Sequence, residues 1–167
     1  DKALPLLKQS YAKAKERPKL LYGQVLGVLG DKSGVPVLLD ALKDAPKWDA
    51  KIYQGRMAEY AHLPTPVDSL ILALGYAGDR SAAPAILKML DRLDAKVTLS
   101  HHRSVAIALE RFADPSAAKP LADLLNKPGM KGHAMTIVPR SGKLEERIAS
   151  LREITLGRAL YRCGDYQ

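Results

Sequence analysis

Four stretches of the chain end alike and decide the fold: VLGVLGDKSGVP at residues 25–36, ALGYAGDRSAAP at 73–84, ALERFADPSAAKP at 108–120 and ALYRCGDYQ at 159–167. When they are aligned on a shared aspartate, every copy has a leucine five residues earlier and a small apolar residue six residues earlier. The aligned aspartates are Asp31, Asp79, Asp114 and Asp165. Apolar residues at this spacing lie on one face of an α-helix. The pattern therefore predicts a helix with a buried stripe before each aspartate.

The residues after the aspartate predict a second helix in three of the four copies. A serine two positions on can cap a helix N-terminus, and a proline then falls in the first helical turn, where its missing N–H costs little. The serines are Ser33, Ser81 and Ser116, and the prolines are Pro36, Pro84 and Pro120. Each unit is thus predicted as helix, tight turn, helix. The predicted units span about 19–43, 67–93, 102–126 and 153–167, the last of them stopping at its turn.

The spacing between units predicts two inserts. Successive aspartates are 48, 35 and 51 residues apart, so extra residues occupy about 43–66 and 126–152. Both inserts connect a second helix to the next first helix, which places them at the same end of the repeat array, where binding faces often form. The segment from Ala3 to Lys15 is predicted to be the second helix of a preceding unit, ended by Pro18.

The composition agrees with an all-α fold in a single domain of 167 residues. Leu and Ala, both strong helix formers, supply 26 and 23 residues, whereas Val and Ile together supply 15. No apolar run approaches the roughly 18–20 residues that a membrane-spanning helix needs. The single cysteine, Cys163, excludes an internal disulfide and a multi-cysteine metal site.

The formal charge of +8 and the pI of about 9.6 raise the question of a nucleic-acid partner. Residues 1–19 and 101–167 each carry a net charge of +4, and residues 20–100 are neutral. A nucleic-acid-binding protein usually concentrates its basic residues on one continuous face, together with aromatic residues. Here the charge is divided between the two ends of the chain, and no basic and aromatic cluster occupies one position of the repeat. These features favour a solvated basic surface over a nucleic-acid-binding face.

No catalytic motif is found, and the chain is predicted not to be an enzyme. The helical glycines, among them Gly23 and Gly27, do not form a dinucleotide-binding fingerprint and are expected to allow close helix packing. The adjacent His101 and His102 point about 100° apart on a helix and have no second ligand one turn away, so no metal site is expected. Cys163 shares its repeat position with Leu29, Ala77 and Phe112, which predicts a buried and unreactive thiol.

The inserts and their neighbourhood supply the candidate surface for a ligand or partner protein. One hypothesis places two histidines and the aromatic first insert around a groove for an anionic or sugar-like ligand. The predicted surface consists of Trp48, Tyr53, Arg56, Tyr60, His101, Arg103 and His133.

The units resemble HEAT repeats, specifically the short bacterial HEAT-like (PBS-lyase-type) kind with a G-D-x-x-A-x-P turn. The resemblance covers most of residues 19–167. It implies an α-α superhelix, a solenoid of about 3.5 repeats with inserts.

A narrower resemblance rests on DSLI at 68–71, KPGMKGHA at 127–134 and RALYRCGDY at 158–166. These strings are similar to the C-terminal repeat region of large bacterial FAD-dependent oxidoreductases, which are often exported. In that family the flavin lies in a separate N-terminal domain, so no cofactor-binding residue is expected in this chain. The resemblance implies a non-catalytic accessory module of a larger protein, partnered by an adjoining domain or another subunit. It also implies a periplasmic or extracellular location, the alternative being cytoplasmic.

Two other hypotheses remain open from the residues. The first is a stand-alone nucleic-acid-binding domain, like the HEAT-like alkyl-base DNA glycosylases, which the net charge favours. The second is a HEAT-like chaperone or lyase subunit that acts on a prosthetic group, which only the turn motif favours.

Overall fold

The computed structural model describes residues 3–45, 63–135 and 143–164, and all regular secondary structure within these ranges is helical. The prediction of an all-α chain is confirmed. The described α-helices are α1 (Ala3–Lys13), α2 (Glu16–Val28), α3 (Val35–Lys43), α4 (Pro66–Ala77), α5 (Ala83–Leu90), α6 (Leu99–Phe112), α7 (Ala118–Leu125) and α8 (Leu144–Arg162).

The three described aspartate turns share one geometry. The aspartate side chain accepts a hydrogen bond from the backbone N–H two residues later, at 2.9 Å for Asp31, 3.0 Å for Asp79 and 2.9 Å for Asp114. One turn of 3₁₀ helix follows at 32–34, 80–82 and 115–117 and leads directly into the next α-helix. The prediction that the serines cap these helices is wrong: the aspartate is the cap and the serine supplies the N–H.

The residue before each aspartate ends its helix in a left-handed conformation. Gly30, Gly78 and Gly164 have φ angles of +82°, +68° and +97°, and Ala113 has φ +46° at the equivalent position. Glycine adopts this conformation without steric cost, whereas a Cβ atom makes it unfavourable. The four units therefore end alike although the third carries alanine.

The helices pack in two sets. The helices that precede the turns form what we call the long row, in which α2 contacts α4, α4 contacts α6 and α6 contacts α8. The helices that follow the turns, α3, α5 and α7, form the short row. They pack on α4, α6 and α8 respectively, α3 also packs on α2, and neighbours within the short row contact each other. Most of the fully buried large side chains lie on these two sets of helices: Phe112, Leu26, Leu38, Ile71, Leu74, Ile86, Leu109, Leu121, Leu124 and Leu156.

Glycine and alanine allow the long row to pack closely. A Cβ atom added to Gly27 would lie 2.6 Å from the carbonyl oxygen of Ala73, and one added to Gly75 would lie 2.5 Å from the Cα atom of Ala108. Since ordinary van der Waals contacts begin near 3.4 Å, neither position has room for a side chain. This confirms that Gly27 permits close helix packing.

The apolar residues predicted to form a buried stripe are buried or packed against the core in α4, α6 and α8, but two of them are exposed in α2. Ala73, Ala108 and Ala159 are fully buried, whereas Val25 at the equivalent position is 45% exposed. Likewise Ala77, Phe112 and Cys163 are buried, but Leu29 is 57% exposed. The prediction that Leu29 belongs to the core is therefore wrong. The physical reason is that α2 is the first described helix of the long row, and α1, which packs on α2, leaves these two side chains exposed.

Two helix boundaries differ from the sequence expectation. Pro18 does not end α1, which stops at Lys13; it lies in the first turn of α2, where a proline is tolerated. Helix α8 begins at Leu144, inside the stretch that was assigned to the second insert. The α1 helix packs on α2, and its Lys8 forms an ion pair of 2.6 Å with Asp31 of the first turn.

Candidate functional site

The described residues separate the predicted surface into unlike parts. His101 is 7% exposed in the first turn of α6, Arg103 is exposed on the same helix, and His133 is half-buried in the loop before α8. The residues Trp48, Tyr53, Arg56 and Tyr60, and the short helix expected there, lie outside the described residues. The hypothesis of one groove that joins this insert to both histidines stays a prediction.

His101 belongs to a buried polar network centred on Asp68. Asp68 is fully buried in the first turn of α4, where it forms a capping box with Thr65: its Oδ2 accepts the Thr65 N–H at 2.9 Å. Its Oδ1 accepts a hydrogen bond from the Ser104 hydroxyl at 2.9 Å and lies 2.9 Å from Nδ1 of His101. The carboxylate thus joins the start of α4 to α6.

Among the described residues, this network fixes the imidazole of His101 and does not form a Ser-His-Asp relay. A hydrogen bond to Asp68 requires the proton on Nδ1, so Asp68 selects the tautomer and orients the ring. In a nucleophilic relay the serine would face the other ring nitrogen, Nε2. Ser104 instead donates to Asp68 and to the His101 carbonyl, and Ser100 lies 3.5 Å from Nδ1. The two serines that approach the pair are therefore structural.

His102 holds the loop that precedes α6. Its side chain is fully buried, with Nδ1 3.1 Å from the Thr98 carbonyl and Nε2 3.1 Å from the Asp94 carbonyl. Burial lowers the pKa of His102 to about 4, although both carbonyl contacts oppose that shift. The ring is therefore neutral near pH 7 and donates its one N–H to one of the two carbonyls.

The KPGMKGHA segment is held on α8 by Glu153 and Ser150. Glu153 accepts the backbone N–H groups of Gly132, His133 and Ala134 at 3.0, 2.5 and 2.7 Å. Burial acts to raise the pKa of Glu153, but these three bonds outweigh it and the net pKa lies below its usual value. Ser150 donates its hydroxyl to the His133 carbonyl at 2.9 Å.

Arg152 ties the same segment to the loop before α6. The side chain is 4% exposed, and its two terminal nitrogens donate to the carbonyls of Ala95 and Gly129 at 2.8 and 3.0 Å. A cavity of about 400 Å³ adjoins it. The cavity is lined by Ala95, Lys96, Val97, Thr98, Leu99, Gly129, His133, Glu145, Ile148, Ala149 and Arg152. His133 lines this cavity, whereas His101 does not.

A second surface combines an aromatic ring with arginines. The Arg111 guanidinium stacks over the Tyr76 ring at 3.9 Å from its centroid, and Arg158 forms an ion pair of 2.8 Å with Glu110. Together with Arg162 these side chains border a groove of about 430 Å³ on the long row. Tyr76, Arg111 and Arg162 each lie three residues before an aligned aspartate. The expectation that no basic and aromatic cluster occupies one recurring position is therefore wrong.

Cys163 is buried, as predicted. It is 2% exposed, and its thiol donates a weak bond to the Leu109 carbonyl at 3.6 Å. Burial raises the pKa of Cys163, which keeps the thiol protonated and unreactive. Within the described ranges, no three His, Cys, Asp or Glu residues are arranged to hold a metal ion.

Sequence reasoning missed Asp68, Arg152 and Glu153. Asp68 stands out in the sequence only as part of the DSLI string, because its partner His101 is 33 residues away, on another helix. The repeat alignment held a signal, because Arg152 and His101 both stand thirteen residues before an aligned aspartate. Two polar residues at one repeat position indicate a position that reaches back to the preceding unit.

Comparison of the chain with protein-family models, with curated proteins and with solved structures finds no match. Among the helices described here, none is long and apolar enough to cross a membrane. The function therefore has to be argued from the geometry.

Proposed function

We propose that the chain is a HEAT-like solenoid module with a non-catalytic, structural or interaction role, and that it forms the C-terminal accessory part of a larger bacterial FAD-dependent oxidoreductase. The repeated Asp-capped turn and the packing of each long-row helix on the next support the repeat architecture. The flavin belongs to a separate part of the parent protein, so the role of this chain is to pack on that part or to present a surface beside it.

The exposed apolar side of α2 is the observation that carries the interaction role. Leu21, Val25, Val28 and Leu29 are between 45% and 57% exposed and lie on one 13-residue helix and its C-cap. Scattered exposed apolar residues are ordinary, but a contiguous patch indicates a surface that another structure covers. At two of these positions the other three units bury their residues, so the patch is a repeat-packing face without a described neighbour.

The repeat register indicates what covers this face. Within the long row, Ala73 of α4 packs on Gly27 of α2, and Ala108 of α6 packs on Gly75 of α4. Val25 occupies the position of Ala73 and Ala108 and therefore faces the side on which a preceding helix would pack. We infer that the partner supplies a helix with small residues, either from an adjoining domain of the parent protein or from another subunit.

Cysteine labelling in the natural full-length polypeptide tests this proposal. The native Cys163 is buried, so a Val25→Cys thiol can be followed against a low background. We expect Val25→Cys to react quickly in the isolated chain and to be protected in the full-length polypeptide. Lys119→Cys, on the exposed side of α7, is the matched control and should react quickly in both. Equal reactivity of Val25→Cys in both proteins would refute a covered α2 face.

The alternative function is nucleic-acid binding by a stand-alone domain, and the groove around Tyr76 favours it. Arginine and aromatic side chains on one face supply phosphate contacts and a stacking platform. Against it, Arg158 is already paired with Glu110, and Arg111 is stacked on Tyr76.

Salt-dependent binding to a labelled oligonucleotide separates the two functions. If the groove binds nucleic acid, the affinity of the wild-type chain should fall as salt rises, and Arg162→Gln should reduce both the affinity and the salt dependence. Lys88→Gln on α5 makes the same charge change away from the groove and serves as the control. An accessory module predicts weak binding that the two variants reduce equally.

A further inference from the structure

We propose that the cavity beside Arg152 binds a small organic monocarboxylate. The cavity lies where the loop before α6, the KPGMKGHA segment and the first turns of α8 meet, and its volume is about 400 Å³. This size falls within the range of small-molecule pockets. The inference is independent of the accessory role proposed above.

The first argument is the state of Arg152. Arg152 is only 4% exposed, and its Nε is buried with no hydrogen-bond partner in the part of the chain that the structure describes. Its two bonds go to neutral backbone carbonyls, and no described carboxylate lies within ion-pair distance of it. The nearest acidic influence is Asp94, whose Oδ1 accepts the Lys96 backbone N–H at 2.8 Å. A buried cation without a paired anion is costly, so a site of this kind favours an anionic ligand.

The second argument is that the cavity wall is held by contacts besides those of Arg152. Glu153 binds three backbone N–H groups of the segment that carries His133, and Ser150 binds its carbonyl. Met130 of the same segment is fully buried. These contacts hold the wall in addition to the two carbonyl bonds of Arg152, and the Nε–H of Arg152 takes no part in holding it.

The third argument concerns the class of anion. Lys96 and His133 join Arg152 in the lining, so the positive charge and proton donors lie on more than one side of the cavity. Val97, Leu99 and Ile148 supply apolar walls, which favour a ligand with a short hydrocarbon or aromatic part. Glu145 also lines the cavity and disfavours a multiply charged group such as phosphate. A carboxylate on a small apolar body satisfies all of these features.

Binding of benzoate, measured by calorimetry on the full chain and by the ring resonances of His133, tests the proposal. Benzamide has nearly the same shape without the charge, and inorganic phosphate has charge without the apolar part. We expect saturable binding of benzoate, much weaker binding of both comparison probes, and a shift of the His133 resonances that saturates with the calorimetric signal.

Variants identify the side chains that bind. Arg152→Lys keeps the charge but loses the spare N–H, and it should weaken benzoate about tenfold or more, as expected for a charge-assisted hydrogen bond. Lys96→Gln removes an exposed charge that no core contact needs, so it should fold normally and weaken benzoate about threefold, in keeping with an exposed ion pair. Lys88→Gln, remote from the cavity, is the control for net charge and should bind like the wild type.

Three results would overturn the proposal. The first is the absence of saturable benzoate binding to the wild-type chain. The second is benzamide or phosphate binding as tightly as benzoate. The third is benzoate binding that Lys96→Gln leaves unchanged, because this variant remains informative even if Arg152→Lys does not fold.

Discussion

Replacing Gly75 by alanine should destabilise the chain, although alanine is the better helix former. The added Cβ atom would lie 2.5 Å from the Cα atom and 2.8 Å from the Cβ atom of Ala108, where ordinary contacts begin near 3.4 Å. Because the obstacle is backbone, α4 and α6 must separate by about 1 Å along their contact. Overpacking of this kind costs about 1–3 kcal/mol, whereas the helix propensity of alanine returns about 1 kcal/mol. We expect the free energy of unfolding to fall by up to about 2 kcal/mol.

Gly157→Ala in α8 provides the matched control. It makes the same chemical change inside a helix, but nothing lies within 4 Å of the added Cβ atom. This variant should gain stability by up to about 1 kcal/mol from helix propensity alone. Because both variants gain the same helix propensity, they should differ by the overpacking cost of about 1–3 kcal/mol when urea unfolding is followed by circular dichroism. A Gly75→Ala variant as stable as Gly157→Ala would refute the close packing of α4 on α6.

Four further predictions concern the turns and the buried titrating groups. Ala113→Gly should raise the unfolding free energy by about 1 kcal/mol, because it relieves a left-handed alanine; unchanged stability in urea would contradict this. Asp79→Ala should cost about 1 kcal/mol through the lost turn cap, and Asp79→Asn, which keeps an acceptor oxygen, should cost less. The pKa of His102 is lower in the folded state than in the unfolded chain, so its contribution to the free energy of unfolding is fully present above pH 6.5 and is lost as the pH falls toward 4, by about 3 kcal/mol in total. His102→Gln should remove this pH dependence of stability, and the control variant His133→Gln should keep it. The Cys163 thiol should react with a thiol reagent only as fast as the chain opens, and rapid labelling under native conditions would show that it is not buried.

The helical class and the repeated turns could be predicted from the sequence because both are local. Helix formers, the apolar spacing and the Gly-Asp or Ala-Asp pair act within one unit, and the same signals recur in four aligned copies. The burial of Cys163 followed from that alignment. The failure at Leu29 shows the limit of the method, since an aligned position is buried only where a neighbouring helix covers it.

The polar sites could not be predicted because they join distant parts of the chain. Asp68 and His101 meet across two helices, and Arg152 reaches a carbonyl 57 residues away at Ala95. No local pattern encodes such a distance. The sequence did single out the KPGMKGHA segment, but not that Glu153 binds its backbone, because a glutamate on a polar helix face carries no signal of its own.

The mass and visible absorbance of the natural full-length polypeptide test the central claim most directly. The account predicts a polypeptide larger than the 18.2 kDa of this chain, with bound flavin, in which Val25→Cys is protected from labelling. A colourless natural polypeptide of 18.2 kDa, with Val25→Cys freely labelled, would contradict the claim that this chain is the accessory module of a flavoprotein.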